Sequence, residues 1–182
     1  MAGWWLPQLN PKGLSQGDII RPLISGTAAV PWRPLRPQAL KGNKPGWAET
    51  AWTPENSGDG HYLARGKVLP CLVVSYSCDL DKDKSNARVL VVPMQPLTAL
   101  TEESREAVLQ LLSINLFPLV QVPNLEDHCA DLRCISHVNR KLVNDCERVA
   151  SMTDLGMQNL EAHLVYFFTR LPVPANQFTK VG

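Results

Sequence analysis

No stretch of this 182-residue chain approaches the roughly 20 consecutive apolar residues that a bilayer-spanning helix requires, so membrane insertion is not expected. The opening residues, Met1-Ala2-Gly3-Trp4-Trp5-Leu6-Pro7, have no basic lead and no long apolar core, so they do not read as a secretory signal. Net charge is nearly absent, at +1, and by itself points to no partner. Cysteine is sparse and odd in number, at five, in a chain long enough to do without covalent staples. Reduced thiols in a cytoplasmic protein are the expectation. There is no internal repeat and no low-complexity tract. With 45 % hydrophobic and 19 % charged residues, general disorder is excluded and one domain spanning 1–182, with a sizeable core, is expected.

What is present is unevenly spread. Residues 1–68 carry eight Lys/Arg against four Asp/Glu, whereas 69–182 carry ten against thirteen. An anionic partner should therefore meet the first third. All five tryptophans lie there too, at Trp4, Trp5, Trp32, Trp47 and Trp52. Pro31, Pro34, Pro37, Pro45 and Pro54 oppose helix and central strand alike, so 26–61 reads as one long irregular loop pinned by aromatics.

Around that excursion the pattern is one of short strands. Gly17–Ile24 opens the set. Cys71-Leu72-Val73-Val74-Ser75-Tyr76 is nearly all apolar and reads as a strand buried on both faces. Val89–Val92 follows, with Pro93 as its stop, and Pro118–Val122 and Leu132–Val138 are further strands. Thr101-Glu102-Glu103 opens a helix running to about Leu116, within an insertion at 99–117. Thr153-Asp154 caps a closing helix over 153–171, with Met157, Leu160, Leu164, Phe167 and Leu171 as its apolar stripe. Strands separated by turns, with one inserted and one terminal helix, make a mainly β (α+β) fold: a small barrel with helical additions.

Taken in order, these elements resemble the MazF/PemK family. The residues that carry the resemblance are Gly17-Asp18-Ile19, then Leu69-Pro70-Cys71-Leu72-Val73-Val74-Ser75, then Val91-Val92-Pro93-Met94. Asp131-Leu132-Arg133-Cys134-Ile135, Arg140-Lys141-Leu142 and the closing helix complete it. The resemblance implies an SH3-like barrel, commonly dimeric. It implies an mRNA-cutting endoribonuclease toxin paired with an antitoxin, or a related module of a phage or mobile-element defence system. Two positions depart from the family. Its arginine before the second-strand proline is Leu69 here, and its Ser/Thr after the third strand is Gln95. Leucine cannot supply a permanent cationic fork beside a phosphate. A non-catalytic module that binds nucleic acid or protein is therefore the alternative.

Candidate chemistry clusters where the second strand exits. Asp79 and Cys78 precede a polar tip, Asp81-Lys82-Asp83-Lys84, whose alternating acids lack the glycine and glutamate of a calcium loop. Asp79 as base with Arg88 or Arg133 as cation would suit RNA cleavage. Cys78 would suit a cysteine hydrolase if a histidine lay nearby, and otherwise is a structural rim thiol. Arg33, Arg36, Lys41 and Lys44 alternate with Trp32 and Trp47, as cations and stacking faces do where single-stranded RNA is held. A loop packed on its own barrel would show the same pattern. His128, Cys129, Cys134 and His137 match no standard zinc spacing, and no metal or other cofactor is expected.

Overall fold

Cys71, Leu72, Val73 and Val74 are all buried in the computed structural model, as expected of a strand covered on both faces. The model describes residues 3–11, 13–26, 33–40, 44–49, 61–63, 66–76, 80 and 88–171. Contacts divide the chain into two compact units, Met1–Leu23 with Val68–Gly182, and Ile24–Lys67.

The larger unit is built on a curled antiparallel sheet, a half-barrel. Its strands are β1 (Ile19–Gly26), β5 (Gly66–Val73), β6 (Arg88–Pro96), β7 (Leu116–Leu119), β8 (His128–Asp131), β9 (Ser136–Asn139) and β10 (Glu147–Ala150). They run in the order β10-β1-β5-β6-β8-β7, with β9 also on β6. Three α-helices complete the described part: α1 (Glu102–Leu109), α2 (Arg140–Asn144) and α3 (Asp154–Thr169).

Strand β6 is the spine, and it does not stop at Pro93. It pairs with β9 over Arg88–Val91 and with β8 over Met94–Pro96. Val74 N–H donates to Leu90 O (2.9 Å), so Leu90 and Val92 face their ladder groups toward β5. Position 93 faces the other side, at the gap between β9 and β8. The missing proline N–H leaves no bond unmade there, and the strand continues. That gap is filled by a 3-10 turn over Leu132–Cys134, held by Asp131, whose carboxylate accepts from Arg133 N–H. The single strand expected over 132–138 is therefore a turn followed by β9.

Alternation splits the core in two. Ile19, Leu72, Val74, Val92 and Met94 pack with Trp4, Phe117, Leu132, Met152 and Leu160, so this face lies against α3. Ile20, Cys71, Val73, Val89 and Val91 pack with Leu23, Leu80 and Val143 of α2 on the other face.

The helices start where expected and differ in how they end. Thr101 Oγ1 accepts from Ser104 N–H, with Glu102 and Glu103 in the first turn of α1. The helix closes at Leu109 rather than near 116, because Leu111 takes a left-handed φ of 58° and turns its side chain inward. The strand expected at Pro118–Val122 begins earlier, at Leu116, and pairs with β8. Thr153 caps α3 through Gly156 N–H, and Arg170 ends it in the left-handed region. The buried face of α3 is Gly156, Asn159, Leu160 and His163, while Leu171 is exposed. The stripe is thus rotated from the apolar reading, toward two polar residues.

Gly156 is where α3 meets the N-terminal segment. A Cβ built there would lie 2.7 Å from the Trp4 carbonyl oxygen, which is backbone and cannot yield cheaply. Gly156→Ala is expected to destabilise the protein by about 1–3 kcal/mol, read as a lower thermal midpoint.

The smaller unit corrects the loop expectation for 26–61. Its described residues form a three-stranded antiparallel sheet, β3-β2-β4, from β2 (Arg33–Leu40), β3 (Lys44–Glu49) and β4 (His61–Leu63). Strand β2 pairs with β4 over Arg33–Leu35 and with β3 over Leu35–Leu40. Among the described residues, Leu35 is paired on both sides, Pro34 on the β4 side and Pro37 on the β3 side.

Candidate functional site

The second half of α3 packs on the core through Leu164 and Phe167, while Val165 and Phe168 on its flank are 55 % and 67 % exposed. Between this flank and the sheet lies a groove of about 850 Å³. Its floor is the exit of β5 and the start of β6. There the regular ladder ends, and Ser75 Oγ accepts from Leu90 N–H at 2.7 Å in place of a backbone oxygen. Gln16, also lining the floor, donates from Nε2 to Val74 O (3.3 Å).

Register decides what the groove presents. Leu90 lies directly opposite His137 and Arg88 opposite Asn139, so Arg88, Leu90 and His137 share one face of the sheet. Arg88 and His137 are diagonal neighbours on it, with Cβ atoms about 7 Å apart. Both are exposed and both line the groove. Tyr76, 61 % exposed, adds an aromatic ring from the sheet side, and Phe168 adds one from α3. Glu161 brings one carboxylate from the helix wall. Val74, Leu90, Ile135, Leu164, Val165 and Thr169 complete the described lining. Among the described residues, the result is an apolar cleft with one guanidinium, one imidazole, one carboxylate and two exposed rings at its margins.

The expected site residues do not all converge here. Arg88 lines the groove. Arg133 does not: it stands on the 3-10 turn and forks onto Asp131, with Nε at 2.8 Å and Nη2 at 2.7 Å from the two carboxylate oxygens. That bidentate pair occupies the cation a phosphate would need and the acid that could act as its base. Asp79, Cys78, Trp32 and Lys41 lie outside the described residues. Arg33 and Arg36 fall on β2, and Lys44 and Trp47 on β3. Backbone parity puts positions 33 and 36 on opposite faces of β2, and register sets Lys44 against Leu40 and Trp47 against Pro37. Positions 36 and 44 therefore share one face, and 33 and 47 the other.

The described cysteines are poor nucleophiles. Burial pushes the Cys71 thiol up to about 12 and the Cys129 thiol up to about 11, and it raises Cys134 and Cys146 as well. All four remain protonated at neutral pH. Cys129 sits in β8 opposite Gln95, whose side chain hydrogen-bonds the sulfur. His128 is buried with Nδ1 2.7 Å from Glu126 O, whereas His137 lies on β9 and opens to the groove. Among the described residues, no group of three or more His, Cys, Asp or Glu is arranged to hold a metal ion.

Sequence reasoning missed Tyr76, His137, Glu161 and Phe168 as groove residues. His137 entered only as one of four residues that match no standard zinc spacing. The groove residues' common surface depends on the β6–β9 register and on how α3 lies along the sheet. No local motif encodes either. No described helix is long and apolar enough to cross a membrane. A scan of protein families and a search of characterised proteins both find no match to the chain.

Proposed function

We propose that this chain acts on single-stranded RNA, as a divergent relative of the MazF/PemK-like barrels, and that the groove beside α3 is its RNA-contact surface. One observation carries the reading: a guanidinium, Arg88, and two exposed rings, Tyr76 and Phe168, line the same cleft. A flexible strand needs both kinds of group, a cation for its phosphates and flat faces for its unstacked bases. The curled antiparallel sheet is compatible with the SH3-like barrel that the resemblance implies. Asp79 and Cys78 lie outside the described residues, and the groove assignment does not use them. Arg133 is set aside, because Asp131 already holds it.

The mostly apolar walls favour a second reading, a non-catalytic module that takes an antitoxin-like protein segment in the same groove. One titration separates the two. Labelled single-stranded RNA is followed by fluorescence anisotropy at several salt concentrations. RNA binding through the groove should weaken about tenfold in Arg88→Ala, and the slope of log K against log salt should shrink by about 0.7. Absence of binding by the wild-type protein would sink the RNA reading and leave the protein-binding one.

A further inference from the structure

We infer that His137 is the proton acceptor of a metal-independent RNA-cleaving centre whose cation is Arg88. The inference rests on the RNA reading above and names the catalytic pair within that groove. It does not use the residues on which the resemblance turned. Leucine and glutamine stand at two of those positions, and Arg133 is engaged by Asp131. The groove instead holds an imidazole and a guanidinium as diagonal neighbours on one face of a two-strand ladder. Rigid strands are a better platform for such a pair than loops. A separation of about 7 Å between Cβ atoms lets the two polar ends flank one phosphodiester: the imidazole at the ribose hydroxyl, the guanidinium at the non-bridging oxygens. Tyr76 and Phe168, at the margins, can hold the flanking bases by stacking.

The step balances without a co-reactant other than water. A neutral ring nitrogen of His137 takes the proton of the ribose 2′-hydroxyl. The 2′-oxygen forms a bond to phosphorus as the bond from phosphorus to the 5′-oxygen breaks. The leaving oxygen takes a proton from water, and the imidazolium returns its proton to the hydroxide so formed. The products are a 2′,3′-cyclic phosphate and a 5′-hydroxyl, with no change in oxidation state. Arg88 is permanently charged and stabilises the crowded phosphorane without taking part in proton transfer.

The test uses the intact chain, a short labelled single-stranded RNA and its 2′-deoxy counterpart, with binding and cleavage measured side by side. The expected result is cleavage of the RNA only, in the presence of chelator. The rate should fall about 100-fold or more in His137→Ala and His137→Gln, with affinity within about twofold of wild type. Added imidazole should restore part of the His137→Ala rate and none of the Arg88→Ala rate. His137 is exposed, so these variants are expected to fold, and unchanged RNA affinity checks that they do. Undiminished cleavage by His137→Ala would overturn the inference and leave the RNA reading standing. Wild-type protein that binds RNA and leaves it intact would overturn it as well, in favour of a binding module. Wild-type protein that binds no RNA would overturn both.

Discussion

Replacing Asp18 by asparagine is expected to destabilise the protein by about 3 kcal/mol, while the double replacement Asp18→Asn/Arg148→Met should cost less than about 1.5 kcal/mol. Asp18 is fully buried and lies 3.0 Å from Arg148 Nε. Its Oδ2 also accepts from Ser15 N–H at 2.8 Å, and Arg148 Nη2 reaches Asn10 O and Ser151 Oγ. This network ties the N-terminal segment to β1 and β10. Burial raises the Asp18 pKa, and the hydrogen bonds from Ser151 and Ser15 and the charge of Arg148 only oppose that rise. Desolvation therefore outweighs attraction, and the pair is not a net source of stability over apolar groups of the same size. Removing half of it is what costs, because Arg148 keeps its charge in a site only 20 % exposed. The single variant should melt roughly 6–12 °C lower. Equal losses in the single and double variants would show that the network is held by its hydrogen bonds and not by charge balance.

Acid should destabilise the fold through one histidine in the core. His163 is fully buried on α3, edge-on to Phe117 at 5.3 Å between ring centroids, and Phe117 in turn stacks on Trp4 at 5.5 Å. Burial lowers its pKa to about 4, against a smaller opposing effect from a hydrogen bond with the Ile114 backbone. In the unfolded chain the same imidazole titrates near 6.5. Above that pH both states are neutral and the histidine has no effect. As pH falls from about 6.5 to about 4, the unfolded chain takes up a proton that the native core refuses, and stability drops by about 3 kcal/mol. Below about 4 the native state also takes up the proton and the slope vanishes. Denaturant unfolding at pH 7 and pH 4.5 measures the effect. His163→Gln should show a correspondingly smaller loss between the two, whatever its stability at neutral pH. An unchanged pH dependence in that variant would place the acid sensitivity elsewhere.

Both sites show how differently parts of the molecule could be read in advance. Continuous apolar runs, as at Cys71–Val74, carry their burial in composition. A hydroxyl followed by acids, as at Thr101 and Thr153, carries its helix start in local hydrogen bonding. Asp18 and His163 carry nothing comparable. A lone acid after Gly17 and a histidine within an amphipathic helix become core residues only when Arg148 and Phe117 are brought to them from distant parts of the chain. The prolines misled for a related reason. Proline opposes a strand with neighbours on both sides, and Pro93, at the gap between β9 and β8, does not meet that condition once the pairing is known. Strand β8 and helix α2 were too short and too polar to announce themselves.

The groove is the clearest case. From the chain alone came the class of fold, strands with an inserted and a closing helix, together with the two-sided burial of Cys71–Val74 and the start of α3. These depend on periodicity and on contacts within a few residues. Which residues meet across the cleft was decided by tertiary structure, because the β6–β9 register sets His137 opposite Leu90 and so diagonal to Arg88. Registers are chosen by the packing of whole faces, and a shift of one residue would have turned His137 toward the opposite side of the sheet.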